Sequence, residues 1–188
     1  MESEIMRPGN GVIFMKVGTH AGESLESILE RKRREIEDAG VSFWGYGGPT
    51  CHPVQRVRPF VKAVEASGHS IFLVMQRMDS RHFADQLLAK QYSDDGVTWK
   101  DVPQGVNVKG SRYALTLATL DPHEEDIDLD ALSVGIGLSE GRPARDYLRG
   151  RVDKACFAVT DSHELSEEPP LHIDLVAKLS PPYAVLLK

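Results

Sequence analysis

SIFLVMQ, residues 70 to 76, is the stretch on which the fold turns. Its apolar run, Ile71 to Met75, is short and rich in strand-forming side chains, so it reads as a strand. Gly68, just before it, marks the end of a preceding helix. Pro59 fits the first turn of that helix, which then runs to about Ser67; a start at Pro53 would leave Pro59 in the interior.

Further back, VSFWGYG at 41 to 47 is extended. Ser24 is placed to cap a helix with Leu25, Ile28, Leu29 and Ile36 on one face and Gly40 at its end. The ERKRRE centre of that helix reads as a solvated face, its basic residues paired with Glu26, Glu30, Glu35 and Glu37. GVIFMKVG at 11 to 18 is a short apolar run between glycines, a buried strand. Residues 11 to 76 therefore read β-α-β-α-β, a rhythm of strands covered by helices.

Beyond residue 76 the pattern changes. Ser80 to Lys90 reads as a short helix with Phe83, Leu87 and Leu88 inward. QYSDDGVTWK then carries a hairpin signal, with Asp95 and Gly96 at the turn and Tyr92 opposite Trp99. Strands follow at 111 to 120 and 131 to 138, joined by the acidic DPHEEDIDLD, in which Ile127 and Leu129 indicate an edge strand with an acidic outer face. GRPARDYLRG suggests a short helix entered through Pro143, RVDKACFAVT another strand, and LHIDLVAKL with YAVLLK a closing pair. The expected fold is α+β: a single domain over 1 to 188 with a mixed or largely antiparallel sheet and two to four helices, its half at 77 to 188 β-rich.

The 188 residues are 41% apolar and 27% charged, ordinary values for a packed core. A formal net charge of −6 argues against generic binding of duplex nucleic acid, which needs a basic surface. Sign is segregated along the chain, with carboxylates gathered at 121 to 130 and 161 to 168 and arginines at 56, 58, 142, 145, 149 and 151. No apolar run approaches the ~20 residues of a membrane span, and no signal peptide opens the sequence. A cytoplasmic address is expected, with Cys51 and Cys156 as reduced thiols.

Two loops carry the functional expectations. The first is GYGGPTCHP, residues 45 to 53. Gly45, Gly47 and Gly48 let backbone amides approach an anion closely, Trp44 or Tyr46 offers a stacking surface, and Arg56 and Arg58 follow with charge. Cys51 and His52 are the candidate catalytic pair there. Neighbours in extended chain point opposite ways, however, and Val57 stands where a cysteine phosphatase loop would need arginine.

The second loop, 135 to 151, surrounds Ser139 with Gly135, Gly137 and Gly141 and leads into Arg142 and Arg145 at a helix start, a setting suited to phosphate or carboxylate. GLSEG also satisfies the G-x-S-x-G spacing of a nucleophile elbow, with Asp153 or Asp161 and His163 or His172 able to follow in order. Asp126, Asp128 and Asp130 alternate like a calcium loop but lack its glycine and closing glutamate, and no histidines pair at metal-ligand spacing, so no cofactor or metal is expected.

These signals favour binding, as sensing or sequestration, of a small anionic ligand, a nucleotide or another phosphorylated compound. A hydrolase or transferase working through Cys51 and His52 or Ser139 is the first alternative, and a protein interaction module the second. A homo-oligomer is left open.

Overall fold

The computed structural model describes residues 3–46, 54–82, 85–148, 152–161 and 168–188. β1 (Gly11–His20), α1 (Leu25–Ala39), β2 (Ser42–Gly45), α2 (Val54–Ala66) and β3 (Ile71–His82) follow the β-α-β-α-β order read from the sequence. The later half supplies β4 (Gln91–Ser93), β5 (Lys100–Asp101), β6 (Tyr113–Leu117), β7 (Asp121–Ile127), β8 (Leu132–Val134), α3 (Ala144–Leu148), β9 (Lys154–Val159) and β10 (Leu171–Leu187). All ten strands join one mixed sheet in the order β2-β6-β10-β3-β1-β9-β8, with β4 and β7 also on β10 and β5 on β4. Among the described residues only β1 and β3 pair in parallel, and the other pairings are antiparallel. The fold is α+β, as expected.

Alternation along the central strands separates two cores. Ile13, Ile71, Leu73 and Met75 face α1 and α2, while Val12, Phe14, Phe72 and Val74 pack on the opposite face with Phe157, Ile173 and Ala144 of α3. Burial on both faces explains why SIFLVMQ is an unbroken apolar run. Trp44 on β2 meets Met15 on β1, its indole N–H donating to Sδ at 3.3 Å, although three strands separate β2 and β1 in the sheet order. The sheet is therefore curled, and α2 fills the hollow with Val57 and Val61 fully buried.

The caps of α1 form where local chemistry places them. Ser24 Oγ accepts from Ser27 N, and Gly40 takes a left-handed φ of 73° while its N–H donates to Ile36 O. α2 departs from expectation, because it is already helical at Val54 and carries Pro59 in its interior. An interior proline costs a helix roughly 3 kcal/mol. Burying Val54 and Val57 on the same face as Phe60, Val61 and Val64 returns roughly 1.5–3 kcal/mol for each valine, which offsets that loss.

Three further expectations change. β3 continues to His82 in place of the helix expected at 80 to 90, and Leu87 and Leu88 are exposed; Phe83 lies outside the described residues. In the hairpin Tyr92 pairs with Lys100, not Trp99, because Asp95 ties down a longer loop by accepting from Val97 N, Thr98 N and Ser93 Oγ. The acidic linker is itself strand β7, pairing with β10, and Ile127 is buried as expected of an edge strand with an acidic outer face. Finally, β10 runs unbroken through Ser180, Pro181 and Pro182, where two closing strands were expected. No helix among the described residues is long and apolar enough to cross a membrane.

Candidate functional site

The curl of the sheet leaves a cavity of about 250 Å³ between the C-terminal end of β1, the start of α1, β2 and the segment 107–111. Its apolar wall includes Met15, Val17, Trp44, Met78 and Val108. Six lysines and arginines also line it: Lys16, Arg31, Lys32, Arg81, Lys109 and Lys154. Among the described residues two carboxylates line it, those of Glu23 and Asp153. In a chain of net charge −6, this is a strongly cationic enclave.

On the helical side the cations are held by a buried network. Glu35 accepts from Lys32 Nζ at 2.9 Å, Arg31 Nη1 at 3.2 Å, Asn107 N at 2.9 Å and Ser42 Oγ. Arg31 and Lys32 also donate to Asn107 O, which ties the 107–111 segment to α1. Lys32 and Glu35 are 3% exposed, so the ERKRRE centre of α1 is not the wholly solvated face expected; only the outer pair, Arg34 with Glu30, is exposed. Burial pushes the Lys32 ammonium down to about 8 against the pull of Glu35. Burial works to raise the Glu23 carboxyl, but Arg31 and Lys109 outweigh it and hold the group below its ordinary range.

On the sheet side, Lys16 faces Asp153 at 3.8 Å. Lys154 Nζ donates to Tyr46 O at 3.1 Å and lies 5.2 Å from the centre of the Tyr46 ring. Arg81 reaches the cavity by a bulge: Val17 pairs with Arg77 and Thr19 with Arg81, so β3 spends four residues where β1 spends two. Bulges re-aim side chains in this way. Arg81 is exposed and has no carboxylate within ion-pair distance among the described residues.

The residues singled out in the sequence divide. Trp44 and Gly45 line the cavity. Gly45 is required by packing, since a Cβ there would stand 2.3 Å from Ser111 Oγ. Tyr46 is fully buried and stacks edge-on to Tyr113, so it belongs to the core and offers no surface for a ligand. Gly47, Gly48, Cys51 and His52 lie outside the described residues.

The start of the second loop packs on α2, which follows the first loop. A Cβ on Gly137 would come 2.8 Å from Arg56 Nη1, and one on Gly135 would strike the Phe60 ring. Arg58 is half-buried on α2, with Nε and Nη2 unpaired. Arg142 is exposed, and neither it nor Arg145 lines the cavity. Arg145 is engaged by Asp130 at 2.9 Å, Glu168 at 3.4 Å and Asp128 at 3.7 Å, an acidic cluster that uses its charge structurally.

Ser139 closes a single 3-10 turn, and α3 starts only at Ala144, so the strand-serine-helix sequence of a nucleophile elbow is not formed. His172 is held by Asp126 at 2.8 Å and Asp153 by Lys16; His163 lies outside the described residues. Cys156 is fully buried, and that burial pushes its thiol up to about 12, partly countered by a hydrogen bond with Tyr46, which makes it inert.

Sequence reasoning missed the cavity's own cations. A signal was present: Lys16 interrupts the apolar run of β1 near its C-terminal end, and Lys154 opens the apolar run of β9. Comparison of the chain with protein-family models, with curated proteins and with solved structures finds no match.

Proposed function

We propose that this protein binds a small anionic metabolite, a nucleotide or another phosphorylated compound, in the cavity between β1, α1, β2 and the segment 107–111. The observation that carries the reading is the charge of the wall: six cations against two lining carboxylates, beside an apolar surface that includes Trp44 and Met15. Concave, partly apolar sites with a few convergent charges are where small ligands settle. Binding without turnover is preferred because the one described thiol, Cys156, is buried and inert, and Ser139 has no elbow around it. A cytoplasmic address belongs to the same reading.

Calorimetric titration with adenosine monophosphate and with inorganic phosphate, against the wild-type protein and a Lys16→Gln, Arg81→Gln double variant, tests it. Saturable binding that weakens with salt and falls about tenfold or more in the double variant is expected. Equal heats for the two proteins would remove the cavity from consideration as an anion site.

A further inference from the structure

We infer that the anion taken by this cavity is doubly charged and compact: a phosphate monoester carrying a single ring or a similarly small apolar body. The inference rests on the proposed anion-binding reading and sharpens it. Its basis is how the charges are arranged around the cavity.

The helical side is close to self-neutralised. Arg31, Lys32 and Lys109 sit against Glu23 and Glu35, with every pair between 2.8 and 3.4 Å. On the sheet side, Lys16, Arg81 and Lys154 have Asp153 as the lining carboxylate, 3.8 Å from Lys16. Taking both sides together, and even leaving Lys154 out of the count, five cations meet three carboxylates. A surplus of at least two suits a phosphate monoester, which carries about −1.5 to −2 near neutrality, better than a singly charged group. A carboxylate or sulfate ester would leave at least one positive charge uncompensated in a partly desolvated wall.

Size limits the rest of the ligand. About 250 Å³ falls just short of the ~300–1,000 Å³ of typical small-molecule sites, so the enclosed body is one ring in extent, not a dinucleotide. Met15, Val17, Trp44 and Val108 give that ring an apolar wall. The charged end is placed near Arg81, which the β3 bulge brings to the cavity and which has no carboxylate within ion-pair distance among the described residues.

Phenyl phosphate and phenyl sulfate, alike in shape and differing by one charge, provide the test. In calorimetric titrations at pH 7.5 phenyl phosphate is expected to bind about tenfold or more tightly than phenyl sulfate, as one further charge in a half-buried site allows. Arg81→Gln, at an exposed position where folding is not at risk, should reduce that ratio to about twofold, with an unchanged melting temperature as the control for structure. Equal affinities in the wild type, or a preference for the sulfate, would overturn the doubly charged assignment while leaving an anion site standing. If neither ester binds at millimolar concentration, the anion-binding reading falls with it.

Discussion

Lys32 and Glu35 stand one turn apart on α1, both buried, and the chain closes around them with donors from two other segments and from α1 itself. Ser42 comes from β2, Asn107 from the loop before β6, and Arg31 from the same helix. Removing the carboxylate and removing the amine are therefore unequal changes. Glu35→Ala strands a buried ammonium and a buried amide together, and is expected to cost about 3–5 kcal/mol in urea unfolding. Lys32→Met leaves Glu35 with Arg31, Ser42 and Asn107, and should lie within about 1 kcal/mol of the wild type.

The sign of the pH dependence follows from the same burial. Between pH 8 and the ordinary lysine value of 10.5, the folded protein releases the Lys32 proton while the unfolded chain keeps it. Stability then rises with pH wherever the unfolded state holds more protons, so the wild type should gain on Lys32→Met across this window. Unfolding midpoints at pH 7.5 and 10 measure it; a difference that shrinks or stays constant would place the amine in a different environment.

Gly45 gives a second residue-scale expectation. Gly45→Ala drives a methyl onto Ser111 and should cost about 1–3 kcal/mol, and Ser111→Gly in the same chain should recover most of that loss.

At the scale of elements, α2 sets burial against backbone chemistry, and burial prevails. Pro59 is exposed, its ring contributes little to the core, and the helix runs five residues upstream of it to keep Val54 and Val57 on the sheet. Pro59→Ala restores a backbone donor and is expected to raise stability by about 1–3 kcal/mol, less the small loss from a freer unfolded chain. A lower urea midpoint would mean that α2 begins near Pro59.

The same competition explains what could be read in advance. Ser24 and Gly40 bound α1 through hydrogen bonds inside a single turn, so they are visible in the sequence, as is the strand at Ile71 to Met75. Lys32 and Glu35 looked solvated because their partners Ser42 and Asn107 are remote in the chain. The Asp95 loop shifted the hairpin register by one because a side chain cap, not a two-residue turn, closes it. Prolines 181 and 182 read as a break, yet the strand carries on past them into pairing with β6 and β4.

The whole molecule is a curled mixed sheet with α1 and α2 on its inner side, and the candidate site exists only because of that curl. Trp44 and Met15 are 29 positions apart and three strands removed from being neighbours, yet they touch. No local pattern could announce a cavity assembled from β1, β2, β9, α1 and the 107–111 segment. Trp44 and Gly45, singled out in the sequence, line that cavity; the cations around them were not singled out, because each was read against its own segment. The start of the loop at 135 to 151 packs on α2, while Arg145, farther along, is engaged with carboxylates.

Trp44 makes the central claim directly measurable. The other tryptophan, Trp99, lies under Lys188 at 4.1 Å and does not line the cavity, so a Trp99→Phe protein reports from Trp44 alone. Titrating that protein with phenyl phosphate and following its fluorescence should give a saturable change in intensity or wavelength, which sodium chloride displaces and Arg81→Gln weakens. A signal that stays flat while phenyl phosphate binds by calorimetry would put the anion elsewhere on the molecule, and the cationic cavity would lose its assignment.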